Sequence, residues 1–514
     1  MLMPPLPTDK NKLLPLFLIF VVIIGLGAFV VYKSFLRVTP ETKQAITSSN
    51  ASKVEKIASI PQEAGRFYIS PDNSRVVYEV SSNEGKDLLI VDGVEYGPYD
   101  EIIEVVFSPN SRRTAWMVER ANEMYVVING KEKGPYNSRG SEYDFEGNLI
   151  FSPDGTHLAY EVLENNNFFV FVDDNKEGPY QAVRSKIFSA NSQKLAYIAT
   201  NQGESFVVVN GSRKKSYDSI EKFLQSEDLI FSSGDKPSYI VRQDEETYLV
   251  VGEKEKVLLV DNDDITTFTV SNDGQKFAYV AYQEEISRKG LLLLKKGYYV
   301  AIGSLESEED IDGYFGPYGV DALWAYSTAW NLQFSPNSQQ LAYFAVYEGE
   351  AFPKTYISAF TIRDLNNPAG TFNTGHPYVF EPPHAAAGSE SYNELIWSGD
   401  SQKLAYSVKA FGDESYREFD IGGLFVVMDT EVNQTETRTG YYNVKDLVFS
   451  HDGRYLAYIA EEPSYDSKQF VVLNNEPKQA YEKIYNPYFT EDDNYLIYVA
   501  RNGDEFSRVV EEIK

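Results

Sequence analysis

The stretch "FSPDGTHLAY", Phe151 to Tyr160, decides how this chain folds. Ser152, Asp154 and His157 fall within six positions and have the residue types of a hydrolase site. The same residues are also good turn chemistry. Serine bonds back to the backbone, proline pre-sets φ, aspartate suits the third place, and glycine takes a left-handed angle at the fourth. Whether the stretch is unique separates the two readings.

It recurs along the chain. Copies begin at Ile69 ("ISPDNSRVVY"), Phe107 ("FSPNSRRTAW"), Phe188 ("FSANSQKLAY"), Val270 ("VSNDGQKFAY"), Phe334 ("FSPNSQQLAY"), Trp397 ("WSGDSQKLAY"), Phe449 ("FSHDGRYLAY") and Phe489 ("FTEDDNYLIY"), with a degraded copy at Phe231 ("FSSGDKPSY"). Successive starts lie 38, 44, 37, 43, 39, 64, 63, 52 and 40 residues apart. A period near 40 is the length of one four-stranded propeller blade. The serine persists and the histidine does not, so Ser152, Asp154 and His157 read as a turn, and His451 occupies a turn position too.

A second module lies between the copies. "LLIVDGVEYGPYDEI" (Leu88 to Ile102) is matched by "YVVINGKEKGPYNS" (Tyr125 to Ser138), "FVFVDDNKEGPYQAV" (Phe169 to Val183), "FVVVNGSRKKSYDSI" (Phe206 to Ile220) and "FVVLNNEPKQAYEKI" (Phe470 to Ile484). Each reads as a strand, a hairpin turn and a second strand. Both modules together resemble the WD40-like β-propeller repeats of the TolB (PD40) type, whose signature is the Phe-Ser-Pro-Asp-Gly…Leu-Ala-Tyr element. The resemblance implies an all-β propeller of about ten four-stranded blades over residues 54–514. It leaves function open, because such repeats serve as scaffolds and as non-catalytic domains of prolyl-oligopeptidase-like enzymes. One large ring and two smaller propellers divided near 255–268 both fit the spacing. The last copy lacks an outermost strand, which "KVEKIASI" (Lys53 to Ile60) is placed to supply, leaving no open edge.

Composition narrows the function classes. The chain has 514 residues, a formal net charge of -29, 38 Tyr and no Cys. Such acidity argues against nucleic acid, and the lack of Cys removes disulfides and thiolate chemistry. "LLPLFLIFVVIIGLGAFVVY" (Leu13 to Tyr32) contains no charge. It reads as a transmembrane signal anchor (13–32) between a short tail (1–12) and a flexible stalk (33–53). The expected location is therefore the cell membrane, single-pass, with the propeller extracytoplasmic and its partners a protein, peptide or glycan of the cell envelope.

No nucleophile elbow, phosphate loop or zinc-protease motif is present, and no cofactor or metal is expected. His376, Glu381 and His384 in "TGHPYVFEPPH" have the types of a metal site, but no helix sets their spacing. The intervals after Val270, Phe334 and Trp397 exceed a blade, with insertions near 300–330, 345–392 and 410–440. They carry Tyr314, Tyr318, Trp324, Trp330, Tyr356, His376, Tyr378 and His384, the expected partner-binding residues, because loops on a rigid scaffold host binding and exposed aromatics favour interfaces. The expected function is a non-enzymatic, membrane-anchored binding scaffold. A glycan hydrolase or lyase using two carboxylates at the channel mouth is the alternative.

Overall fold

Alternating apolar residues and turn-forming residues produce β-structure throughout the computed structural model. It describes residues 18–24, 27–33, 52–61, 64–82, 85–138, 149–222, 228–232, 235–244, 246–258, 265–283, 297–306, 313–316, 319–320, 328–348, 356–364, 373–374, 395–409, 424–430, 435–436, 441, 443–461 and 468–513. In the third repeat the antiparallel strands are Leu149–Phe151, Leu158–Glu164, Asn167–Val172 and Asn175–Tyr180, paired in chain order. The first strand precedes the Ser-Pro-Asp-Gly turn, and Leu-Ala-Tyr opens the second. The valine-rich module gives the third, and Gly-Pro-Tyr ends the fourth.

Four-stranded sheets of this kind cover 64–99, 182–217, 328–374, 395–436 and 443–481, and five-stranded versions cover 219–258 and 265–320. An eight-stranded sheet over 101–180 joins two successive repeats through one residue pair, Asn137 with Leu163. The final sheet takes its outer strand from the other end of the chain, Lys53–Ser59 pairing with Glu505–Glu512. Its inner side packs on the first sheet: Val499 and Phe506 share a core with Ile60 and Val76. Asn73 Nδ2 also donates to Asn486 O at 2.8 Å. The described residues therefore form an all-β, propeller-like succession of sheets whose two ends meet.

Neighbouring sheets bury the repeat motif between them. Ala159 and Val170 of the third repeat pack with Phe188, Leu195, Tyr197 and Phe206 of the fourth. Leu158, Ala159 and Tyr160 are fully buried, each large side chain contributing on the order of 1.5–3 kcal/mol. Across the 255–268 stretch, Ile240 and Leu249 share a core with Phe268 and Phe277. Tyrosines cross the seams: Tyr180 meets Tyr197, Tyr217 meets Tyr239 and Tyr481 meets Tyr498, edge to face at 5.8, 6.3 and 6.4 Å.

The N-terminal segment departs from the expectation of a membrane helix. Leu18–Ile24 and Gly27–Lys33 are two antiparallel strands, registered from Leu18 opposite Lys33 to Ile24 opposite Gly27. No helix among the described residues is long and apolar enough to cross a membrane. An apolar run alone does not distinguish strand from helix. Here Val21, Val22, Ile23, Ile24, Val30 and Val31 are β-branched and favour a strand, while Gly25 and Gly27 weaken a helix. This finding overturns the transmembrane part of the fold expectation and the signal anchor over 13–32. With them go the membrane as a partner, the single-pass cell-membrane location with an extracytoplasmic propeller, and the membrane-anchored scaffold as a function. Residues 1–12 lie outside the described residues, as does most of the expected stalk.

Candidate functional site

Nine of the ten turns are built alike, the degraded copy at Ser232 being the exception. Ser152 Oγ donates to Asp154 Oδ1 at 2.6 Å and accepts from the His157 N–H at 2.9 Å. The same pair of bonds forms around Ser70, Ser108, Ser189, Ser271, Ser335, Ser398, Ser450 and Thr490. The fourth turn residue is left-handed in all ten, from Asn73 (φ 58°) and Ser111 (57°) through Gly155 (72°) to Asp493 (53°). At Gly155 space also demands glycine, since a Cβ would lie 2.5 Å from Asn110 Nδ2. Adjacent turns are stitched together: the Asp72, Asp154, Asp273 and Asn337 N–H groups donate to the hydroxyls of Ser111, Ser192, Ser338 and Ser401, at 3.0 to 3.1 Å. Burial pushes the Asp154 carboxyl up, but hydrogen bonds from Ser152 and Thr156 outweigh it and hold it below the usual range. His157 Nδ1 lies 2.8 Å from Asp173 of its own sheet. Ser152 is fully buried with both bonds spent on the turn, so the triplet is structural.

The opposite ends of the strands differ among repeats. In the first five and the tenth, the second and third strands are joined closely, as between Arg120 and Glu123 or Asn502 and Glu505. In the sixth to ninth the joined ends are Gln283 and Gly297, Glu348 and Tyr356, Lys409 and Leu424, and Glu461 and Gln469. An antiparallel connection leaves from the end where these residues pair. Four consecutive sheets therefore carry their long second-to-third connections on the face opposite the turns.

That face also carries a latch where the connections are short. The residue after the fourth-strand tyrosine accepts the N–H of a turn residue in the next repeat. Asp100 accepts from Ala121 at 2.6 Å, Asn137 from Asn165 at 2.9 Å, Gln181 from Gln202 at 2.7 Å, Asp218 from Asp244 at 3.1 Å and Glu482 from Gly503 at 2.7 Å. The sequence reading missed these latches. Their signal is a side-chain acceptor directly after each tyrosine at 99, 136, 180, 217 and 481. The latched seams are rigid supports, and the long connections lie beside them on the same face.

Of the expected binding residues, Trp330 is described in full. It lies half-buried in the strand Thr328–Phe334, stacked on Phe344 at 5.8 Å. Tyr314 and Tyr356 have strand backbone, in Gly313–Gly316 and Tyr356–Asp364. Tyr318, Trp324, His376, Tyr378 and His384 lie outside the described residues, as does Glu381. At the root of the first long connection, Tyr282 and Tyr298 meet edge to face at 5.2 Å and are half-buried. At the root of the last, buried Gln469 donates to buried Glu461 at 3.3 Å and accepts from the Ile484 N–H at 2.9 Å.

Cationic side chains on the first strands pair with buried carboxylates. Glu79 binds Arg66 Nε at 3.1 Å and Tyr68 Oη at 2.8 Å, and burial with the Glu79 contact pushes the Tyr68 phenol up. Glu161 binds Lys186 Nζ of the next repeat at 2.6 Å, both almost fully buried. Asp228 is held by Arg184 and by Ser185 Oγ at 3.0 Å. Chemically these pairs tie strands together. Among the described residues, no group of three or more histidine, aspartate or glutamate side chains converges as a metal site.

No family model and no curated protein matches this sequence. Solved structures with a similar course of chain include a eukaryotic initiation factor, 14% identical over 73% of this chain and 87% of that one, with a TM-score of 0.39. Another is the tricorn protease, 11% identical over 90% of this chain and 48% of that one, TM-score 0.31. This chain thus spans about half the length of the tricorn structure. A third is the β-propeller domain of the Trilobed protease from Pyrococcus furiosus, 11% identical over 65% and 95%, TM-score 0.32. At these values no family or activity is assigned by the likeness.

Proposed function

We propose that this protein is a non-enzymatic binding platform of the WD40-like, TolB-type propeller class, and that it holds a protein or peptide partner. The observation that carries the reading is the asymmetry of one face: four consecutive sheets place long connections there, while the turn face is closed by its hydrogen-bonded turns. A rigid scaffold with variable loops at one end is the usual arrangement for recognition. Tyr318, Trp324, His376, Tyr378 and His384 lie instead in the segments that follow the fourth strands Gly313–Gly316 and Asn373–Thr374, where further binding contacts are expected because aromatic residues dominate binding hot spots.

The test is capture of partners from cell extract by the full chain, with and without Gly375 to Tyr392, a deletion that spares the strand Asn373–Thr374. The platform reading expects a protein retained by the intact chain and lost from the deletion, with the melting temperature within a few degrees of the original. Loss of the folded state on deletion would make the segment structural. Retention or turnover of polysaccharide without a protein partner would overturn the reading in favour of glycan chemistry.

A further inference from the structure

A separate polar cavity lies at the seam of the second and third repeats, on the latched part of the same face. Its volume is about 260 Å³, and it is lined by Asn122, Glu123, Pro135, Tyr136, Asn137, Glu164 and Asn165. That volume lies just under the range of roughly 300–1,000 Å³ seen for drug-sized ligands, which suits a ligand of one ring. The walls are well defined. Asn137 is held by the latch to Asn165, and a Cβ at Gly134 (φ 125°) would sit 2.9 Å from Met124 O, which fixes the backbone entering Pro135.

The lining chemistry discriminates between ligand classes. Glu164 is already paired with Lys176 at 2.5 Å and Glu123 accepts from Tyr125 Oη at 3.0 Å. Each keeps a second oxygen as an acceptor, and the three asparagine amides supply both donors and acceptors. Among the described residues the lining has no cationic side chain to receive an anion, and one of the two carboxylates already has a counter-ion, which weakens a cation site. Pro135 and half-buried Tyr136 add apolar surface beside the amides. Mixed acceptors and donors around a small apolar wall match a neutral ring that carries adjacent hydroxyl groups and a C–H face. We infer that this cavity is a pyranose-binding subsite, independent of the platform formed by the long connections.

The test uses the full chain and three probes, the methyl pyranosides of glucose, galactose and mannose, read by saturation-transfer NMR and titration. Asn122 (φ 63°) and Asn165 (φ 50°) are left-handed, so Asn122→Gly and Asn165→Gly remove the amides without straining the backbone. Asn166→Gly, also left-handed (φ 64°) and outside the lining, is the control. The expected result is saturable binding of at least one pyranoside, weakened about fivefold to tenfold by each lining variant and unchanged in the control, with unaltered melting. Absence of binding by all three sugars, or binding unaffected by the lining variants, overturns the inference. A Tyr fluorescence change with calcium chloride alone, and none with sugar, overturns it in favour of a cation. The Gly375 to Tyr392 deletion leaves the lining intact, so failure of the platform and failure of this site are separable.

Discussion

Ser152 and His157 sit five residues apart and have different energetic weight. Ser152 is fully buried and makes two turn hydrogen bonds, whereas the His157 side chain is 45% exposed in its pairing with Asp173. Ser152→Ala should lower stability by roughly 1–3 kcal/mol, because a buried group loses its partner. His157→Gln should change it by less than about 1 kcal/mol, since exposed ion pairs contribute little. Urea denaturation of both variants checks the pair. Equal losses would mean that the histidine also holds the turn. The structural role of the serine is legible in the sequence because it recurs, and the histidine's partner is not, because Asp173 comes from the next hairpin.

Among the strands, Lys53–Ser59 is the one that joins the two ends of the repeat region. It covers the outer edge of Glu505–Glu512 and brings Ile60 to the core that holds Phe506. A chain starting at Gln62 should expose that edge and melt at least several degrees lower, with a rise in self-association visible by light scattering, because an uncovered strand edge templates further pairing. An unchanged melting temperature and a monodisperse sample would show that the closure is dispensable. This strand was legible in the sequence as the complement of an incomplete last repeat. The hairpin of Leu18–Ile24 with Gly27–Lys33 was not. A long apolar run satisfies both a membrane helix and a paired strand, and only the partner strand distinguishes them.

Across the whole molecule, tyrosines at the seams make the fold sensitive to alkali. Burial pushes the Tyr239 and Tyr299 phenols up to about 12. Burial and hydrogen bonding to Glu177 push Tyr197 up, and burial with the nearby Glu511 pushes Tyr498 up. In the unfolded chain these phenols lose their protons near pH 10. Above that pH the folded state holds more protons than the unfolded one, so stability falls as pH rises from 10 towards 12. The expected outcome is a melting temperature that is level below pH 10 and then drops steeply. Tyrosinate absorbance at 295 nm should grow in two stages, exposed phenols first and the buried ones only with unfolding. A single titration near pH 10 with intact structure would contradict the burial of these rings.

Recurrence is what made the fold readable: Ser-Pro-Asp-Gly turns, Leu-Ala-Tyr strands and hairpin modules are local, and local chemistry repeated ten times specifies the same unit each time. The candidate site was read only as far as insertion length, which appears in the spacing of the repeats. Which face the long connections occupy depends on antiparallel pairing. The latches at Asp100, Asn137, Gln181, Asp218 and Glu482 depend on the adjacent repeat. The cavity at Asn122, Tyr136 and Asn165 draws on two repeats at once. Turns and strands follow from residues that are neighbours in sequence, whereas faces, seams and cavities arise from residues about forty positions apart, and only the packing of one sheet on the next brings those together.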